Sequence, residues 1–547
     1  MNRKPLLIAI AYALVILTSC KNGTTGLLIP KEASLVVHIN GSSLASKLDW
    51  KEIKESDWFK EMYKNNHDSI TQKLLDNPGA SGIDIKSSLA FFMKKQDNGN
   101  YFAFEGNLKD ASAFELLVKK INHNVETRTD GDIKFINPDS TSVITWSGSK
   151  FIYLSNVPGF NMLSYPGWNS GASPSFTSDS LRLFSKELFS LKSGNSIESD
   201  EHFSSLIKES GDVHFWMDIG QYYSSIAGNM MSMLKASSLI DGNVLTFTLN
   251  FDDGKISMKF KQYYGKEIAA IFDKYDFQSV DESMVNRIAS NNVFGVAVSN
   301  YPPGLWKDVL KAGGLDGMAN AGLGKINYSL DELLKAIKGP MVFAVTDFII
   351  KKVANPMDSS FKTSEHDVKI LFAAAVNDKP SFEKLLNNLH IQDSSMLSKV
   401  NYKINNDWFA VSNSLPLVDG FLAGSNNNLP FAGKISGQSF GMYVDIQKIL
   451  KTIQPTLTDS SSHAAMNASL KMWQDVIVTA GAYKNGASSG DMVINLVDKS
   501  TNSLKQFNEY AKALYNAHKL KRYPEYSVTD SSAVMIEPQI DSAYSIK

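Results

Sequence analysis

The chain has 547 residues, 43% of them hydrophobic and 20% charged, with a formal net charge of -1. That balance fits a globular chain long enough for roughly two to four domains, and it excludes a global electrostatic pull toward phosphate backbones. The longest Lys/Arg-rich run is Lys519-Leu-Lys-Arg522 and there is a single Cys, so nucleic acid is not an expected partner and an intramolecular disulfide is impossible.

In chain order, Arg3 and Lys4 precede an uncharged apolar run from Leu6 to Leu17. At about a dozen residues it is too short to span a hydrocarbon core, which needs about twenty. A basic start followed by such a run predicts a signal peptide over residues 1–19. The ending Leu17-Thr18-Ser19-Cys20 resembles the lipobox of bacterial lipoproteins, where a diacylglyceryl thioether forms on the Cys before cleavage in front of it. The resemblance makes Cys20 the lipid attachment residue and the mature N-terminus. Acyl chains contribute about 0.8 kcal/mol per buried methylene, so two or more give a stable anchor. Residues 20–28 read as the lipidated Cys and a short tether. Later apolar runs are strand-length, and the run Met341–Ile350 is interrupted by Asp347. No acidic cluster of the kind that resembles a surface-export signal follows Cys20. The expected location is therefore the cell envelope, lipid-anchored at the outer membrane and facing the periplasm, with the cell surface as the alternative.

Beyond the tether, four segments recur in order, which predicts an internally duplicated body with halves at 29–285 and 286–522. The segment from Ser34 to Leu48 matches that from Asn292 to Leu310 as a strand entering a helix. Next, Asp110, Phe114, Leu117, Val118 and Ile121 fall on Asp378, Phe382, Leu385, Leu386 and Leu389, each set an N-cap Asp ahead of an apolar helical stripe. A strand, an Asp and an amphipathic helix recur around Asp218 and Asp445. Finally, the hairpin pattern around Asp253-Gly254 recurs in Val476–Leu496. Further alternation around Trp146–Lys150 predicts another hairpin. The fold class is α+β: two tandem halves of largely antiparallel sheet with amphipathic helices packed on one face. A helix is expected over Leu504–Leu520, followed by a disordered or loosely packed tail at 523–547.

Chemical motifs are few. Gly486-Ala-Ser488-Ser-Gly490 satisfies the nucleophile-elbow pattern, but its polar flanks predict a hairpin loop instead of a strand-to-helix turn. The Gly-rich stretch Gly313–Lys325 has Ala319 and Ile326 where a phosphate loop needs Gly and Ser/Thr, so it reads as a flexible connection. Glu365-His366-Asp367 reads as a polar loop, His38 and His214 as structural strand residues, and the four repeated Asp residues as caps. The methionines of Asn229–Met233 could pack in a core or meet an apolar ligand. No catalytic, metal or cofactor site is therefore expected.

The segment Ile29–Ile53, followed by Asp57-Trp-Phe-Lys-Glu-Met62, resembles the start of domain of unknown function 4836, a family of Bacteroidota lipoproteins, and the strand-Asp-helix units resemble it over nearly the whole mature chain. The resemblance implies an envelope location and supplies no activity. The leading expectation is a non-catalytic binding or scaffolding protein whose partners are the membrane, reached through the N-terminal lipid, and an envelope protein, glycan or lipid. The alternatives are an envelope hydrolase whose site assembles only in three dimensions and a lipid-handling protein. If Cys20 carries the anchor, the purified mature chain has the mass of a chain beginning at Cys20 plus a diacylglyceryl group. Cys20→Ser removes that added mass and the membrane association, and an unmodified native terminus refutes the assignment.

Overall fold

The computed structural model describes residues 26–522 except 66–67, 97–98, 123–124, 158–175, 227–236, 356–357, 393–399 and 482. The signal peptide, Cys20, the methionines of Asn229–Met233 and the tail 523–547 lie outside the described residues.

The first half contributes β1 (Ala33–Asn40), β2 (Ser88–Gln96), β3 (Gly99–Asn107), β4 (Arg128–Asp130), β5 (Ile133–Asp139), β6 (Ser142–Ser147), β7 (Lys150–Asn156), β8 (Val213–Asp218), β9 (Val244–Asp252) and β10 (Lys255–Tyr263). The second contributes β11 (Val293–Asn300), β12 (Ile337–Asn355), β13 (Asp358–Val376), β14 (Asn401–Ile404), β15 (Trp408–Ser412), β16 (Phe440–Asp445), β17 (Trp473–Ala480) and β18 (Ala487–Leu496). The pairings form one antiparallel sheet in the order β4-β5-β6-β7-β3-β2-β1-β8-β9-β10-β18-β17-β16-β11-β12-β13-β15-β14. Outward from the β10–β18 seam, both halves place their strands in corresponding sequence. The duplication read from the chain is thus a pseudo-twofold arrangement of the sheet.

Local chemistry explains the units. The four repeated aspartates cap helices as expected. Asp110 accepts from Ser112 N and Ala113 N, Asp218 from Gln221 N, Asp378 from Ser381 N and Asp445 from Lys448 N, at 2.8–3.0 Å. Gly254 (φ +66°) and Gly148 (φ +56°) turn the β9–β10 and β6–β7 hairpins in the left-handed conformation that glycine adopts freely. The end of each β11-like strand is also repeated: Asn40 N donates to Asp212 O at 2.9 Å and Asn300 N to Ser439 O at 2.8 Å.

Several expectations are corrected. Helices lie against both faces of the first half. Phe114 of the helix Ala111–Ile121 meets Trp146 and Phe151, whereas Leu181 and Leu188 of Ser178–Phe189 join the cluster holding Ile152 and Leu154, which point to the opposite side. An apolar stripe fixes which side of a helix is buried, but not which sheet face receives it. The Gly-rich stretch forms a helix, Asp316–Gly324. Glu365-His366-Asp367 belongs to β13, because β12 and β13 run 19 residues each and continue past Thr346 and Lys369 as a two-stranded ribbon. Residues 26–28 are docked on the body, with Leu27 buried, so the body begins before Ile29.

A helix spanning Ser503–Arg522 braces the seam from one side. Lys505 pairs with Glu52 at 2.7 Å and Trp58 Nε1 donates to Asn508 at 3.3 Å, both in the first half; Phe507 meets Phe251 of β9 and Trp473 of β17. Within the seam Gly490 leaves no room for a side chain: a Cβ there would lie 2.3 Å from Phe260 Cζ and 2.4 Å from Thr479 O. Gly490→Val should therefore destabilise by about 1–3 kcal/mol through overpacking. Thermal unfolding should show a lowered Tm for Gly490→Val and an unchanged one for Ser489→Val at the exposed neighbouring position.

Candidate functional site: an apolar sheet face and a buried polar network

Because side chains alternate along a strand, residues in register across paired strands share a face. One such row runs Phe104, Phe91, Val37, Phe215, Phe247, Phe260, Gly490, Ala480, Phe440, Ser299, Met341, Ala374. The adjacent row runs Gly106, Leu89, Ile39, Val213, Leu249, Met258, Met492, Val478, Met442, Ala297, Phe343, Phe372. Neither row contains a charged residue. The face crosses twelve strands from β3 to β13, and at about 4.8 Å per strand it is about 50 Å long.

Helices bury this face at its β3 end and leave its middle and its β13 end partly open. Leu89 and Ile39 are packed under the helices that follow β1, while Phe215, Phe247, Leu249, Met258, Phe260, Met492, Val478 and Met442 are only half-buried. At the far end Phe343, Ile370 and Phe372 are exposed, Phe343 at 44%. Phe215 and Phe247 stack at 4.5 Å. The helix Ile446–Ile453 packs against β11, β12 and β17, yet none of its residues is buried, and its apolar positions Ile446, Ile449, Leu450 and Ile453 are all half-exposed. A run of apolar side chains left partly open to solvent is a candidate interaction surface.

The reverse side of the central strands is polar. Leu206, Glu209, Ser210, Thr246, Thr248, Asn250, Lys259 and Lys261 line a cleft of about 450 Å³. Glu209 accepts from Lys261 Nζ at 2.6 Å and Thr248 Oγ1 at 2.7 Å. Burial opposes its ionisation, but those two bonds together with the neighbouring Lys261 charge outweigh burial and hold the carboxyl below the ordinary glutamate range. It is therefore a carboxylate, unsuited to donating a proton near neutrality.

His38 and His214 stand opposite one another on β1 and β8, with Nδ1 atoms 3.0 Å apart, and His214 Nε2 lies 3.0 Å from Glu209 O. A carbonyl only accepts, so His214 carries its proton on Nε2 and receives one from His38 Nδ1, leaving His38 Nε2 as a buried lone pair. Burial, then the His214 charge, push His38 down to about 3, and burial also lowers His214. Both rings are neutral. The equivalent pair in the second half, fixed by the Asn40 and Asn300 correspondence, is Val298 and Gly441. The fold does not require the polar version.

A third buried group is Glu105 on β3, which accepts from Leu28 N with both oxygens, at 3.0 and 2.9 Å. Burial raises it to about 7, partly offset by the Leu28 hydrogen bond. The register that aligns Asp110 with Asp378 puts the apolar Ala373 at its place in the second half.

Of the residues singled out in the sequence, the capping aspartates serve separate helices, and Ser488 sits inside β18 opposite Gln262. His366 stacks on Phe348, and Asp367 pairs with Lys369 and Lys351. Among the described residues no cluster of His, Cys, Asp or Glu could hold a metal, and no helix is long and apolar enough to cross a membrane. Glu105 and Glu209 drew no notice in the sequence, since a lone Glu in a strand carries no pattern. The apolar face was half visible in the alternation Leu245, Phe247, Leu249, Phe251 against Thr246, Thr248, Asn250.

The buried groups set opposing pH limits. The His38 contribution is complete above the unfolded value near 6.5 and is lost as pH falls toward 3. The Glu105 contribution is complete below the unfolded value near 4.5 and is lost as pH rises through about 7. Melting curves between pH 4 and 8 should show His38→Val/His214→Ala flattening the acid side and Glu105→Gln flattening the neutral side, each by several degrees. Unchanged slopes in both variants would show that other groups set the profile.

No curated protein matches the chain. Among solved structures, crystal forms I and III of TP0453 are similar at 8% and 9% identity; they cover 45% and 48% of this chain and 80% and 90% of theirs, with TM-scores of 0.24 and 0.25. Residues 26–294, the first half together with the start of β11, match the family described as Domain of unknown function (DUF4836), so that the similarity expected over nearly the whole mature chain is found over the first copy.

Proposed function

We propose that the protein is a lipid-anchored, non-enzymatic component of a bacterial cell envelope that holds lipid acyl chains against the apolar face of its sheet. The supporting observation is that face: two adjacent uncharged rows across twelve strands, with a middle that helices leave half-exposed. Its composition suits acyl chains better than a protein partner. Phe and Met dominate the central strands, neither row carries a charge, Ser299 is the one hydroxyl in the two rows, and Met258 and Met492 are paired in the row that Met442 joins beyond Val478. Thioether side chains are soft and adapt to flexible chains. Protein interfaces, in contrast, set orientation with polar groups around an apolar centre.

The Leu-Thr-Ser-Cys20 ending and the resemblance to Bacteroidota lipoproteins support the anchor and an outer-membrane position facing the periplasm. The absence of a reacting constellation from the polar cleft supports a binding role: its acid is ionised and ion-paired, and the neighbouring histidines point at each other.

The protein purified from membranes should carry co-purified lipid detectable by native mass spectrometry and solvent extraction. Phe247→Glu/Met258→Glu places two carboxylates in the middle of the face and should reduce bound lipid at least tenfold while the reverse-face pair Thr248→Ala/Lys259→Ala leaves it unchanged. Lipid-free native protein that also fails to bind a fluorescent fatty-acyl probe would sink the reading.

A further inference from the structure

We infer that the protein sits on the bilayer by the first-half end of its sheet, near the β6–β7 turn, so that the apolar face leads away from the membrane toward the second half. The inference rests on the lipid-anchored reading of Cys20.

Its basis is how firmly the segment Gly26–Lys31 is held against the body. Gly26 O accepts from Lys150 Nζ at the start of β7. Leu27 N donates to Glu198 at 3.4 Å and Leu28 N to both oxygens of Glu105. Ile29 is fully buried and its carbonyl accepts from Ile197 N at 2.9 Å, while Lys31 N donates to Asn195 O at 2.8 Å. Residues 26–31 are therefore part of the body.

The internal duplication shows that the Glu105 contact belongs to the first copy alone. Glu105 is a buried acid that accepts from Leu28 N with both oxygens, whereas the second copy seats its own entering segment through the buried Val280, Val285 and Ile288 and carries Ala373 in place of Glu105. A buried carboxylate is costly unless satisfied, so its presence in one copy alone points to the segment it holds.

Lys21 to Thr25 are the five residues between the lipid-bearing residue and the docked segment. Covalent geometry limits that stretch to roughly 20 Å. Lys150 begins β7, which pairs with β3, the first strand of the apolar face. The face is about 50 Å long, so its β3 end lies within the leash and the end bearing the exposed Phe343 and Phe372 does not. Acyl chains leaving the bilayer would meet the covered end first and travel along the half-open middle.

The test uses the full lipidated protein. Its only native thiol is consumed in the thioether, so an introduced Cys is labelled uniquely. Ser149→Cys in the β6–β7 turn and Asn406→Cys in the turn between β14 and β15 would each carry a fluorophore. Both variants are reconstituted on phosphatidylethanolamine/phosphatidylglycerol vesicles containing a headgroup quencher. At least twofold stronger quenching at position 149 is expected. Inserting ten Gly/Ser residues after Asn22 should shrink the difference, as should Glu105→Ala if that variant keeps its fold. Equal quenching at the two positions, or stronger quenching at 406, overturns the inference. Bound lipid measured on the same samples reads the acyl-binding proposal separately, so either can fail while the other stands. Loss of vesicle association altogether overturns the lipid anchor and this inference with it.

Discussion

The antiparallel pairing of β10 with β18 is the interaction on which the rest of the molecule depends. Nine consecutive residue pairs, Lys255–Asn495 to Tyr263–Ala487, join the last strand of one copy to the last strand of the other. Without that pairing each copy would expose a long edge strand with unpaired N–H and C=O groups, a hazard for aggregation. With it, two ten- and eight-stranded sheets become one. The register matters as much as the pairing. A slip of one residue would turn Met258 and Phe260 to the polar side and break the apolar face at its centre.

Two copies of one fold in a single chain act as a control on what the fold needs. The strand order, the capping aspartates and the asparagines ending β1 and β11 are common to both, and these are the features that close hydrogen bonds. The differences are concentrated in groups that cost stability. His38 and His214 stand where the other copy has Val298 and Gly441, Glu105 where it has Ala373. Conversely, the second copy lengthens its β12–β13 hairpin to 19 residues per strand where β2 and β3 have nine. Each departure has diverged from a shared scaffold, so the polar networks are features of the first copy alone.

The central strands also explain how one sheet can serve two environments. At its flanks the sheet has apolar clusters on the reverse side, holding Val36, Phe92 and Leu154 in one half and Val296, Val342 and Leu371 in the other. Between them, β9 and β10 turn Thr246, Thr248, Lys259 and Lys261 to that side and Phe247, Leu249, Met258 and Phe260 to the opposite one. An antiparallel sheet with one wet side normally packs its apolar side under helices. Here the helix Ser503–Arg522 reaches Phe251 and Trp473 near the seam, while Phe247, Leu249, Met258 and Phe260 beside it stay only half-buried.

The sequence by itself determined the local units and their repetition. Periodicity sets strands and helices, Asp and Gly set caps and turns, and the order of these signals reveals two copies and an antiparallel α+β fold. Those are short-range effects, carried by residues within a few positions of one another. Tertiary structure alone decided that the copies share one sheet, that helices cover both faces of the first half, and that the ribbon of β12 and β13 runs through Glu365-His366-Asp367. It also decided that Glu105 meets Leu28, 77 residues away, and that His38 meets His214 across 176. Such contacts depend on strand register and on which face each helix reaches. Both are settled by packing between elements distant in the chain, and neither leaves a periodic trace in it.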